Sequence, residues 1–248
     1  MAKQTGLGDN FYLGGNDISG DINAFGKIFG GPAKLQDGTD ITMSGVGRLA
    51  LQRDGGMDAA VFFDPVSAHP VLSALPTTDT IGTYFRGLGI GNPCASCNAK
   101  QVNYDWQRGA DGSLLGAVSL QANAFGLEWG VQLTPGHRVD GAAVAASAAN
   151  SYDTGASLAF GAQMYVQLFA FTGTSVTISL WDSADNVTFL AVASLTTTAL
   201  VAGAQAVRVA IGNTATVRRY IAVATAGTFT SADFAVHVSK NPVAGVVF

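Results

Sequence analysis

"AQMYVQLFAFTGTSVTISLWD", Ala162 to Asp182, decides the fold class. In its second limb Val176, Ile178 and Leu180 alternate with Thr177 and Ser179, the period of a strand with one buried face. Thr172-Gly173 separates that limb from "AQMYVQLFAF", so the stretch reads as a hairpin turning at glycine. Downstream, "VTFLAVASL", "AQAVRVAIG", "VRRYIAVATAG" and "DFAVHVSKN" follow at regular spacing, with "DSADN", "GNTAT" and "GTFTSA" as turns. Six short strands in about ninety residues predict a sandwich, jelly-roll or immunoglobulin-like.

Composition extends the β assignment to all 248 residues. Charged residues make up only 12%, lysine is scarce, and Glu128 is the sole glutamate. Exposed helix faces are built largely from Glu, Lys, Gln and Arg, so little material for them exists. Thr, Ser, Asn, Gln and Asp supply the polarity, with 31 glycines as punctuation, which suits strands and turns. The chain is read as all-β.

Low charge also predicts large neutral surfaces, which mark contact with other chains. A net charge of −4 lacks the basic footprint of a non-specific nucleic-acid binder. No window approaches the length of a membrane span, and "MAKQTGLGDN" lacks a signal-peptide core, so a soluble protein made in the cytoplasm is expected.

Upstream of the opening stretch, strand-like runs alternate with turn signals. In "RLALQRDGGMDAAVFFDP", Asp54-Gly55-Gly56 reads as a hairpin turn, and Met57, Ala59, Val61 and Phe63 share one face. "HPVLSALP", from His69 to Pro76, is the one short helix expected. "QVNYDWQRGADGSLLGAVSLQANAF" reads as a second hairpin turning at Ala110-Asp111-Gly112. The expected organisation is a β-barrel or sandwich over 1–140, an Ala/Gly/Ser-rich linker or surface-lying connection over 141–160, and the β-sandwich over 161–248.

Motifs that could carry chemistry are few. Cys94 and Cys97 form a lone Cys-x-x-Cys; His69, His137 and His237 lie far off with no zinc-ligand spacing, and a thioredoxin-like βαβ context is missing. "GLGIGNP" is followed by a proline and a turn, not by a phosphate-holding helix. In "GGNDISGDIN", Asp17, Ser19 and Asp21 alternate as calcium ligands do, but a turn shaped by Gly14, Gly15 and Gly20 is the simpler reading. One glutamate cannot serve as both acid and base in glycoside hydrolysis, and no Gly-x-Ser-x-Gly elbow occurs. His237 falls opposite Phe234, Val236 and Val238 and is expected at solvent or an interface. Of Arg218 and Arg219, one must be paired or sit at the core rim. No catalytic constellation, cofactor site or metal site is identified; the chain is expected not to be an enzyme.

"FYLGGNDISGDINAFGKI", "GVGRLALQRDGGMDAAVFFDP" and "QVNYDWQRGADGSLLGAVSLQANAFGLEWGVQLTPG" together resemble the successive strand pairs of tail tube (major tail) proteins of long-tailed bacteriophages. The resemblance spans roughly residues 9 to 136 and rests on strand and turn pattern, not on catalytic residues. The later β unit is similar to sandwich domains appended to phage virion proteins. The resemblance implies stacked rings, usually of six, forming a hollow tube through which DNA passes. Implied partners are copies of the chain, other tail proteins at the tube ends, and tape-measure protein and DNA transiently in the lumen. The implied location is the virion tail, assembled in the host cytoplasm without a membrane. Residues expected at subunit contacts are Phe11, Tyr12, Phe29, Leu35, Phe62, Phe63 and Trp129. A carbohydrate-binding or adhesion module, with Trp181, Asp182, Asp185 and Asn186 at its site, is the alternative, as is a head decoration protein.

Overall fold

The structure, a computed structural model, describes residues 5–243. Strands dominate, and one short α-helix is present among the described residues, as an all-β chain requires. The elements run β1 (Asn10–Leu13), β2 (Asn16–Asp17), β3 (Ile22–Pro32), β4 (Leu35–Asp37), β5 (Arg48–Ala50), β6 (Arg53–Phe62), α1 (Ala68–Leu72) and β7 (Thr80–Phe85). They continue with β8 (Pro93–Arg108), β9 (Leu114–Ala122), β10 (Glu128–Gln132), β11 (Arg138–Asp140) and β12 (Ser151–Asp153). The last four are β13 (Ala162–Ser183), β14 (Leu190–Thr196), β15 (Gln205–Ile211) and β16 (Tyr220–Lys240). No helix among the described residues is long and apolar enough to cross a membrane.

Two compact units interleave along the chain. The first takes residues up to Gly20, Ile81–Ser96 and the chain from Trp129 onward; the second takes Asp21–Thr80 and Cys97–Glu128. These are not the 1–140 and 161–248 halves expected from sequence. The 141–160 stretch is a surface-lying connection within the first unit. Val144 exchanges backbone hydrogen bonds with Thr225, β12 pairs with β16, and Leu158 bridges Val217.

The first unit is organised by β13 and β16, antiparallel over their whole lengths from Ala162↔Lys240 to Ser183↔Tyr220. Here the sequence expectation is corrected: Thr172-Gly173 does not turn the chain, and "GTFTSA" lies inside β16. Gly173 (φ +156°) and Gly227 (φ +124°) instead kink two continuous strands. Register shifts cluster around Gly173, and a Cβ there would lie 2.4 Å from the Phe229 Cα. Glycine is needed for close approach and a bulge, not for a reversal. Both strands line the main core, in which Met164, Val166, Val176, Ile178, Leu180 and Phe234 are buried. The expected face of Val176, Ile178 and Leu180 is therefore the inner one. The first limb of β13 is buried on both faces, so Gln163, Tyr165 and Gln167 are covered too.

In the second unit β3 pairs with β6, β6 with β9, and β9 with β8. Asp54, Gly55 and Gly56 are strand residues paired with Gly31, Gly30 and Phe29, correcting the expected turn. A Cβ on Gly55 would lie 2.6 Å from the Leu127 backbone nitrogen, so this glycine too serves close packing. The reversal lies farther out. The bonds Ala33 N–H to Gln52 O and Gly38 N–H to Gly47 O carry the β3–β6 hairpin on through the β4–β5 ribbon. Met57, Ala59 and Val61 are buried as alternation predicts, while Phe63, just past the strand, is not. The Ala110-Asp111-Gly112 turn forms as expected, with Gly112 at φ +88° and Asp111 Oδ1 accepting from the Ser113 N–H and hydroxyl. The helix expected in His69–Pro76 forms slightly earlier; Pro70 fits its first turn, and Leu75 lies beyond its end at φ +40°.

Candidate assembly surface

The second unit carries the most exposed apolar surface. On residues 33–52, Leu35, Ile41, Met43, Val46, Leu49 and Leu51 are all exposed, Ile41 completely so at 104%. β4 and β5 have no buried residue, and a two-stranded ribbon is marginal in water by itself. Inward along the same hairpin, β3 has β6 as its paired strand, leaving an eleven-residue edge. Phe29 on β3 and Phe62 and Phe63 at the far end of β6 are exposed. Beside Phe63 stand His69, Tyr104 and Trp106, with successive ring centroids 4.8, 5.7, 5.0 and 5.1 Å apart around the group. His69 Nδ1 lies 3.0 Å from the Tyr104 hydroxyl, which ties α1 to β8. This unit also holds ten of the chain's acidic residues against six basic ones.

The expected contact residues thus divide. Phe29, Leu35, Phe62 and Phe63 are exposed on the second unit, and Trp129 is exposed on the first. Phe11 and Tyr12 are core residues, 2% and 0% exposed, because β1 pairs with β7 on one side and Tyr12 packs edge-on against Phe85 and Phe169. A side chain already buried in the subunit cannot add contact area to a neighbour.

The sites weighed for chemistry are engaged inside the chain. His237, expected at solvent or an interface, is fully buried within the subunit; its Nδ1 lies 2.7 Å from Ser96 Oγ, and its ring stacks on Tyr165 at 9°. Ser96 bonds Thr83, whose hydroxyl also accepts from Gln167, and Gln167 in turn accepts from the Gly15 N–H. Ser96 and His237 have the spacing of a nucleophile and its base, but neither has any exposed surface, so no substrate carbonyl reaches them. Burial lowers the His237 pKa to about 3 and keeps the ring neutral.

Cys94 and Cys97 are free, buried strand residues of β8, not loop thiols. Burial raises both thiols, and the Glu128 charge adds to the rise at Cys97, which reaches about 12. Neither is a ready nucleophile.

His137 lies between two carboxylates, Nε2 3.0 Å from Asp17 and Nδ1 2.9 Å from Asp233, and stacks on Phe169 with centroids 3.9 Å apart. Asp17 also caps Ser19, and Asp21 accepts from the Ala68 N–H, so the Asp17–Ser19–Asp21 run shapes local backbone. Among the described residues no three His, Cys, Asp or Glu side chains gather as metal ligands.

Arg218 and Arg219 are both paired, the first with buried Asp182 and the second through two 2.7 Å bonds with Asp153. Asp182 accepts the Arg218 backbone N–H, Asp185 accepts from Ser183, Val187 and Thr188, and Asn186 accepts from Ser151. Trp181 donates its indole N–H to Ser179. Of the residues of the alternative glycan site, Asp185 holds the 183–188 turn, while Trp181, Asp182 and Asn186 bond Ser179, Arg218 and Ser151.

No protein-family model matches the chain, and no curated protein matches it. Among solved structures it is similar to the SPP1 Dit (gp 19.1) protein, described as a paradigm of the hub adsorption apparatus in Gram-positive-infecting phages. That match has 11% identity, 93% coverage of this chain, 98% of that one and a TM-score of 0.34. It is also similar to a chain of the phage p2 baseplate in its activated conformation with Sr, at 10% identity, 94% and 98% coverage and a TM-score of 0.33.

Proposed function

We infer that the chain is a structural subunit of a phage tail, carrying no chemistry of its own, which joins copies of itself into rings through the second unit. The observation that carries this is the 33–52 stretch: six exposed large apolar side chains, Leu35 and Leu49 on two strands with no buried residue, Ile41, Met43 and Val46 in the connection between them, and Leu51 just past the second. Covering them removes roughly 25 cal/mol per Å² of apolar surface from water, a gain the isolated subunit cannot make. The edge of β3 adds backbone groups that a neighbouring strand would satisfy, and a closed ring leaves no lateral edge open. The sequence resemblance to tail tube proteins supports rings of six.

The acid excess of the second unit suits a ring around DNA. Fixed cations along a lumen would displace counterions and hold the duplex, whereas a mildly acidic wall lets it slide. Tube ring and hub ring are two forms of the same reading. Negative-stain images of the purified chain decide the matter: stacked tubes or single rings support it and separate the two forms, and a uniform field of monomers at high concentration refutes it.

A further inference from the structure

The second unit exposes apolar surface at both ends of one ladder. At one end the β3–β6 pairing runs to Pro32↔Arg53 and continues into the 33–52 arm, which is exposed throughout except at Gly47. At the other end the β6–β9 pairing stops at Phe62↔Leu115, where Phe62, Phe63, Val66 and Leu114 are exposed. β6 runs the length between them, and at ~3.3 Å per residue it sets the two ends roughly 30 Å apart. The two surfaces differ in kind. The arm is aliphatic, on a ribbon that is marginal by itself. The far end is aromatic and preset, since Phe63 packs edge-on against Trp106 and the bond between His69 and Tyr104 holds the neighbouring rings.

We propose that the arm of one copy lies across the Phe62–Phe63–Leu114 end of the next, a head-to-tail contact. This rests on the ring reading above and names the two surfaces that meet. A cyclic ring requires each subunit to offer two different, mutually complementary surfaces, because a self-complementary patch stops at a dimer. The second unit has that pair, at opposite ends of one ladder, so the two meet only between copies. Size fits as well: a standard interface takes about 20–30 residues a side, close to what 33–52 and the adjoining β3 edge supply. So does chemistry. Met43 is exposed on the arm, and a thioether packs well against aromatic ring edges. The far end carries Asp64, Asp105 and Asp111 against Arg108, and the arm brings exposed Lys34 and Arg48, its own Asp37 and Asp40 being bonded to Thr39 and Thr42. A rigid aromatic platform confines the ordering cost of the contact to the ribbon.

The test mixes two damaged full-length chains and reads mass by size exclusion with light scattering. Ile41→Asp/Leu49→Asp spoils the arm and keeps the aromatic end; Phe62→Asp/Val66→Asp spoils the end and keeps the arm. Each variant alone runs as a monomer. Their equimolar mixture runs at the mass of a dimer, because one intact arm meets one intact end and growth stops there. Leu114→Asp, a single exposed residue at the same end, raises the concentration needed for half-assembly tenfold or more, and it replaces the Phe62/Val66 pair if circular dichroism shows that pair unfolded. An assembled parent whose end variant also assembles overturns this contact and leaves the ring reading standing, and so does a mixture that stays monomeric. A monomeric parent overturns both.

Discussion

Ser96 Oγ lies 2.7 Å from His237 Nδ1, and both residues are sealed from solvent in the first unit. The imidazole is neutral in the fold but charges readily in the unfolded chain, whose histidines titrate near ~6.5. Its folded value is depressed to about 3, so the unfolded state binds more protons at acid pH. The stabilising difference is complete above the unfolded value and is lost as pH falls from there toward 3. The expected slope is about 1.4 kcal/mol per pH unit from this one group. His237→Asn, which keeps a donor toward Ser96, flattens the melting temperature against pH over that window; an unchanged slope in the variant contradicts the assignment.

Gly173→Ala is expected to destabilise the protein by about 2–4 kcal/mol, because it strains φ and sets a methyl against the Phe229 backbone. Gly112→Ala at the 110–112 turn is strained by φ alone, having nothing within 4 Å of the new Cβ. Urea denaturation compares the two. A smaller loss at Gly173 than at Gly112 would show that β13 and β16 are not kinked against each other at this glycine.

Replacing His137 by Ala removes bonds to Asp17 and Asp233 and a ring stacked on Phe169. A loss of about 1 kcal/mol is expected, because the partners are partly exposed and Asp17 keeps its bonds from Ser19. A double-mutant cycle with Asp233→Ala measures the coupling. Additive losses would mean that the His137–Asp233 bond contributes nothing.

Cys94 and Cys97 are expected to stay silent toward a thiol reagent such as DTNB in the native protein and to react with two equivalents after denaturation. Rapid labelling under native conditions would place at least one thiol at the surface.

How much of the fold is legible in the sequence depends on whether one strand holds the information. Period-two patterning marks Met57, Ala59 and Val61 as one buried face and Val176, Ile178 and Leu180 as another. It also puts His237 opposite Val236 and Val238 correctly. What it does not show is that this second face is covered as well, since burial there depends on Tyr165 and Ser96, far away in sequence. Gly173 and Gly55 mislead for a related reason: a glycine that lets two backbones approach looks the same in sequence as one that turns a chain. The apolar and aromatic content of an extended arm places Leu35 and Phe29 at the surface, whereas Phe11 and Tyr12 have the same content and no local sign of the strand that covers them.

The most direct test of ring assembly through the second unit is light scattering coupled to size exclusion on the full chain beside Ile41→Asp/Leu49→Asp. Both positions are exposed in the subunit, so the double variant should fold to the same all-β structure, checked by circular dichroism. The parent is expected at ring mass, near six subunits, and the double variant at monomer mass. A monomeric parent, or an assembly untouched by two charges on the ribbon, would contradict the claim.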